Sequence, residues 1–202
     1  MSKKKSYSKF TAEDIRQLGL TIRQRHLFSD ITPIKPSALL LETLQLNQTM
    51  PLSSEKARSE LLISPILLEL RRQNPQHFTY FSGYQFDVDK ARGLHGFCDF
   101  IISPKYDAVF LEAPLITMVE AKENQDLFDA APQCMAEMYA ARLYNERHNE
   151  NITIIHGVVT SGYEWLFLKL EENTVWVDIT RYNLNNLNEL LGVWQKIIDF
   201  YN

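Results

Sequence analysis

The chain has 202 residues, enough for one sizeable domain with a small appendage. Its hydrophobic share of 45% and charged share of 23% are those of an ordinary globular protein, and no apolar run approaches the roughly 20 residues a membrane helix needs. The net charge of −4 lacks the basic excess of non-specific nucleic-acid binders, so phosphate contact would need local groups: Lys3 to Lys5, Arg71, Arg72, Lys90 and Arg92.

In chain order, MSKKKSYSKF has three lysines and no apolar core behind them, which argues against a secretory signal and predicts a solvated basic tail on a cytoplasmic protein. Thr11 reads as a helix N-cap ahead of Glu13 and Asp14, and Ile15, Leu18 and Ile22 follow at helical spacing. Pro36 suits the first position of a second helix reaching Leu46. The polar stretch LNQTMPLSS then separates residues 1–50, expected as a helical extension packed on the core, from a main domain over 51–202.

Ser54 can cap a helix running to about Arg72, with Leu61, Leu62, Ile66, Leu67 and Leu70 as its apolar stripe and Pro65 kinking or splitting it. Residues 78–88 are aromatic and β-branched and read as a strand, with Gly83 as a bulge. Gly93 and Gly96 mark a turn before a strand over 96–103, which Pro104 ends. Residues 105–114 form a longer connection that has room for a short strand, and 115–122 form the next strand. The polar stretch ENQDLFD leads into a helix over about 127–147. Strands over 153–160, 164–170 and 174–179 and an amphipathic helix over 184–201 complete an α/β protein.

Cys98 and Cys134 lie among apolar residues with no metal-ligand spacing and read as buried free thiols. The five histidines form no HxxxH pair, which argues against a zinc hydrolase. Tyr163, Trp165 and Trp176 read as core or strand-edge aromatics. Arg92 and His95, just before the 96–103 strand, belong to a polar turn from which they can reach a phosphate.

The charged groups that break the apolar pattern are Asp99, in GFCDFIIS, and Glu120 and Lys122, in ITMVEAKEN. Side chains alternate along a strand, so Glu120 and Lys122 share a face with Ala121 opposite. If the two strands pair antiparallel, Asp99 approaches that face. A lone Glu-x-Lys at a strand end is usually a solvated exit from the core. An acid inside an apolar strand is costly unless paired or bound to a cation, and this shifts the balance toward a site. Hard carboxylate oxygens suit Mg2+ or Mn2+. Glu55 and Glu60 on the preceding helix, and Gln133 and Glu137 on the following one, can add to the cluster. Glu137 reads by default as a surface acid.

A helix bearing Glu, a strand bearing Asp and a strand ending in Glu-x-Lys resembles the PD-(D/E)xK, or restriction-endonuclease-like, nuclease superfamily. The element order over about 53–170 carries the resemblance. SEKARSELLISPIL is similar to the first helix of type I restriction-subunit nuclease domains, and Gln133 resembles the glutamine of RecB-type members. The ARSE, GFCDF, VEAK and QC-AEM segments also resemble a group of mainly cyanobacterial proteins. The chain departs from the family in two places. Cys98 stands where the family's proline would be, and Glu137 stands where RecB-type proteins place a tyrosine.

The resemblance implies a restriction-endonuclease-like αβββαβ core, with a central mixed sheet flanked by helices, extended by an N-terminal helical segment and C-terminal strands and a helix. It implies Mg2+- or Mn2+-dependent hydrolysis of phosphodiester bonds in DNA, or in RNA, by a protein that can dimerise. Asp99, Glu120, the Ala121 carbonyl and one of Glu55 or Glu60 would hold the metal. Lys122 would assist the attacking water, and Gln133 would fix Lys122 or touch a phosphate. Glu55 has the better spacing to Pro65; Glu60 lies roughly 140° away on a helical wheel. The alternative is a non-catalytic nuclease-like module that binds nucleic acid or protein.

Overall fold

A computed structural model describes residues 5–122 and 126–202. Lys3, Lys4 and residues 123–125 of the polar stretch lie outside the described residues. Among the described residues seven strands form one mixed sheet: β1 (Thr21–Arg25), β2 (Thr79–Gln85), β3 (Phe97–Ser103), β4 (Thr117–Ala121), β5 (Ile154–Thr160), β6 (Glu164–Glu171) and β7 (Thr174–Asn183). Their spatial order is β1-β7-β6-β5-β4-β3-β2. The β4–β5 and β1–β7 pairs are parallel and the others antiparallel.

Helices cover both faces. On one side α1 (Ala12–Gln17) and the long α5 (Leu127–Arg147) bury Ile15, Cys134, Met138 and their neighbours against Ile101, Met118 and Val159. On the other, α2 (Ala38–Asn47), α4 (Ser64–Gln73) and α6 (Leu187–Phe200) enclose Leu44, Ile66, Leu67, Trp165 and Trp194 against Phe100, Val119 and Phe167. Both thiols are free and buried, as expected. No helix among the described residues is long and apolar enough to cross a membrane.

The N-terminal section departs from expectation. Tyr7 and Phe10 are buried rather than part of a solvated tail, and the Tyr7 N–H donates to His95 O at 3.1 Å. Thr11 caps α1 in a reciprocal capping box with Asp14. The helix stops at Gln17 because Gly19 turns the chain with φ +85°, and Ile22 lies on β1, an edge strand paired with β7. The described part of residues 1–50 is therefore not wholly helical: it supplies a strand of the main sheet. Ser37, not Pro36, sets the start of α2, its hydroxyl accepting from the Leu40 N–H.

Ser54 caps the next helix, as expected. A short α3 (Glu55–Arg58) widens into a π turn over Ser59–Ile63 before α4 begins. The Ser64 N–H donates to Ser59 O, five residues back. Pro65 explains the widening: its ring crowds the preceding turn and it offers no N–H to Leu61 O. Asn47 Nδ2 donates to that carbonyl instead, at 2.7 Å. Residues 105–114 contain no strand.

Two packing details fix α5 on the sheet. A Cβ at Gly157 would overlap Met138 Sδ and come within 3.0 Å of Cys134 Sγ, so the bare glycine on β5 lets the helix lie close. The buried Asn145 side chain mimics a strand neighbour: its Oδ1 accepts from the Leu115 N–H and its Nδ2 donates to Leu115 O, both at 2.7 Å. The far end of α5 is thereby tied to the run leading into β4. Asn145→Ala should cost about 3 kcal/mol in urea unfolding, since it strands two buried backbone groups; a loss under about 1 kcal/mol would show that water replaces the amide there.

Candidate functional site

The ladder between β3 and β4 pairs Phe100 with Val119 and Ile102 with Thr117. One step further on, Asp99 comes opposite Glu120. There the Asp99 carboxylate takes over from the ladder: its Oδ2 accepts from the Ala121 N–H at 2.7 Å. Glu120 and Lys122 share a face, as strand alternation requires, and Ala121 packs into the opposite core. Lys122 Nζ lies 2.5 Å from Glu120 Oε1 and 3.4 Å from Gln133 Oε1, the first turns of α5 presenting the glutamine.

Of the two helix acids, Glu55 is the one that reaches the cluster, its Oε2 lying 3.7 Å from Lys122 Nζ. Glu60 carries its carboxylate to Lys56, at 2.7 Å, and is 60% exposed. Both acids border a cleft of about 280 Å3 with Ser59, Ser82, Gly83 and Asp99. Gly83 is not a bulge: Ser82 pairs with Phe100 and Tyr84 with Cys98, one residue between on each strand. It sits across from Asp99 with φ +61° and nothing within 4 Å of where a Cβ would stand, which keeps the cleft open beside the acid. A larger groove of about 470 Å3 between α2 and α4 is mainly apolar, and its Glu69 and Arg72 neutralise each other.

The largest departure is Glu137. It is not a surface acid but 0% exposed, and near enough to both buried thiols to help raise them above their ordinary range. Its Oε1 accepts from Gln133 Nε2 at 3.2 Å, and its carboxyl group hydrogen-bonds that of Glu120, which is 2% exposed. Two carboxyl groups so close and out of water each disfavour the other's charge, and both are held above their ordinary values. The sequence did carry a signal. Glu137 stands in AAPQCMAEMYAA, an acid in an apolar run, which is the pattern that singled out Asp99.

Electrostatics follow from this crowding. Burial, then the Asp99 charge, pushes Glu120 up from 4.5 to about 8. Burial, then Glu120 and Asp99, holds Glu137 well above the carboxylate range. Burial also raises Asp99, with Glu55 adding and the Ala121 N–H opposing. For Lys122, burial works against the charged form, but Glu120, Glu55 and Asp99 outweigh it and keep the ammonium above its ordinary value.

Among the described residues no three His, Cys, Asp or Glu side chains converge as a ready metal shell. The donor chemistry at Asp99 and Glu120 nonetheless fits a hard divalent cation. Glu120 Oε2 is buried with no conventional hydrogen-bond donor, and the mutual repulsion of the two acids is what a cation would relieve. Water would complete the coordination, as small hard cations require.

The basic groups expected to meet phosphate are engaged within the chain. Arg72 pairs with Glu69 at 3.1 Å, Lys90 with Asp87 at 2.8 Å and Arg92 with Asp89 at 2.9 Å. Arg71 donates to Tyr106 O at 3.0 Å. No protein-family model matches the chain, and a search of the curated proteins finds no significant match.

The raised acids make stability depend on pH in a stated direction. Below about pH 4.5 Glu120 is protonated in both the folded and unfolded states; above it the unfolded chain releases a proton that the folded chain keeps until about pH 8. Without divalent cations the melting temperature should therefore fall as pH rises across that window. Glu120→Gln should flatten the slope, and calorimetry at several pH values measures it. A wild-type profile as flat as the variant's would mean that Glu120 titrates normally.

Proposed function

We propose that the chain is a metal-dependent nuclease of the PD-(D/E)xK type, hydrolysing phosphodiester bonds of DNA or RNA. The observation that carries this reading is the convergence of Asp99, Glu120 and Lys122 where β3 and β4 separate, with Glu55 reaching the lysine from α3 and Gln133 from α5. The order of α3–α4, β2, β3, β4, α5 and β5, with β2, β3 and β4 antiparallel and β4 parallel to β5, supports reading this part as a restriction-endonuclease-like core.

In this reading Asp99 and Glu120 hold Mg2+ or Mn2+, with Glu55 at the mouth of the cleft. A cation bound there supplies neutralisation of the phosphate and a water of lowered pKa. Lys122 stays charged beside its acids and donates hydrogen bonds to the attacking water or to a phosphate oxygen, stabilising charge that develops in the transition state. Ala121 fixes Asp99 through its N–H, so the acid's free oxygen keeps one direction. The open space at Gly83 admits the substrate backbone beside Asp99.

A second reading is favoured by the internal pairing of Arg72, Lys90 and Arg92, which leaves the expected phosphate contacts occupied. Under it the chain is a nuclease-like module that binds nucleic acid or protein without cutting. Incubation of plasmid DNA and of RNA with purified protein and Mg2+ or Mn2+ separates the two. Cleavage should fall by about 100-fold or more in Lys122→Ala and in Asp99→Ala. Metal-dependent cleavage that survives both substitutions would sink the nuclease assignment. Absence of cleavage together with no heat of Mn2+ binding would favour the module.

A further inference from the structure

Glu137 has no part in the reading above, yet it is the most deeply buried acid beside the site. Burying a carboxyl group in apolar surroundings costs free energy that a Met or Leu at the same place would not. Its Oε2 has no conventional donor, so the fold gains little from it.

The geometry gives it a use. Glu120 and Lys122 are two apart on a strand, about 6.6 Å along its axis. Gln133 and Glu137 are four apart on a helix, about 6 Å along its axis and on one face. The two spacings match, and the four side chains close a ring. Lys122 Nζ bonds Glu120 Oε1 at 2.5 Å and Gln133 Oε1 at 3.4 Å; Gln133 Nε2 bonds Glu137 Oε1 at 3.2 Å; Glu137 returns to Glu120. An amide has a donor end and an acceptor end. With Glu137 accepting from its nitrogen, Gln133 must turn its oxygen toward Lys122. Without Glu137 only the long 3.4 Å contact to the Lys122 ammonium selects that orientation, and the amide nitrogen is left without its acceptor in the ring.

Resting on the nuclease reading, we propose that Glu137 is a positioning residue: it fixes the Gln133 amide and the Glu120 carboxyl, and through them the direction of the Lys122 ammonium. The brace touches neither substrate nor cleft. Its effect is on how well Lys122 is aimed, where displacements of about 1 Å can cost on the order of 100-fold in rate.

Glu137→Met and Glu137→Gln test this, with three readouts: melting temperature, steady-state cleavage of plasmid DNA with Mg2+, and acetylation of Lys122 by acetic anhydride followed by mass spectrometry. In Glu137→Met we expect an unchanged or higher melting temperature, a kcat lower by about tenfold or more with KM within about twofold, and faster labelling of Lys122. Glu137→Gln can accept from Gln133 and donate to Glu120, and should restore near wild-type kcat and labelling. If Glu137→Met lowers the melting temperature in step with activity, or if neither kcat nor labelling changes, the brace is wrong. If the wild-type protein does not cleave, the nuclease reading fails by itself, and labelling still decides: faster in Met and slow in Gln upholds the brace, equal rates overturn it.

Discussion

The site depends on one substitution of partners in the sheet. Where the β3–β4 ladder would continue, a side-chain carboxylate of Asp99 takes the Ala121 N–H. This bond satisfies a buried backbone donor and at the same time holds an acid at a strand boundary, next to Glu120. Everything else at this end of the sheet answers the resulting excess of negative charge. Lys122 folds back onto Glu120, Glu55 meets the lysine from outside, and burial beside Glu120 holds the Glu137 carboxyl well above the carboxylate range.

The distribution of these groups over the fold has a consistent logic. The strands supply Asp99 and Glu120, α3 supplies Glu55 at the cleft, and α5 on the other side supplies Gln133 and Glu137, which hydrogen-bond to Lys122 and Glu120. That division requires β4 and α5 to keep a fixed offset. Gly157 sets how close the helix lies, and Asn145, at the opposite end from Gln133, prevents it from sliding along the strand. The two contacts lie far from the acids in sequence yet control their spacing.

Much of this was legible in the sequence where a residue contradicted its surroundings. Asp99 in GFCDFIIS and the Glu-x-Lys after ITMV stood out because strand alternation is strict and acids are rare inside it. The elements from β2 to α6 followed from apolar pattern and turn residues. The losses have physical causes. β1 reads TIRQR, with little apolar content, because an edge strand buries little; its partner β7 lies at the other end of the chain, and parallel pairing leaves no local turn to betray it. Glu137 was hidden because a helix tolerates acids on its solvent side, and α5 has no such side here: Ala, Cys, Met and Tyr are buried around most of its middle. Tyr7 was hidden because burial of a short polar N-terminal stretch depends on the turn it packs against.

The π turn at Ser59–Ile63 bears on how the two ends of its helix are phased. Each residue added to or removed from an α-helix rotates everything beyond it by about 100°. The wide turn before Pro65 acts as one such added residue, so the azimuth of Glu55 is offset from that of the Ile66, Leu67 and Leu70 stripe. An uninterrupted helix could satisfy either the core or the lysine, according to its setting. With the turn in place, the Glu55 carboxylate is carried about 100° round from where an unbroken helix would set it relative to the apolar stripe.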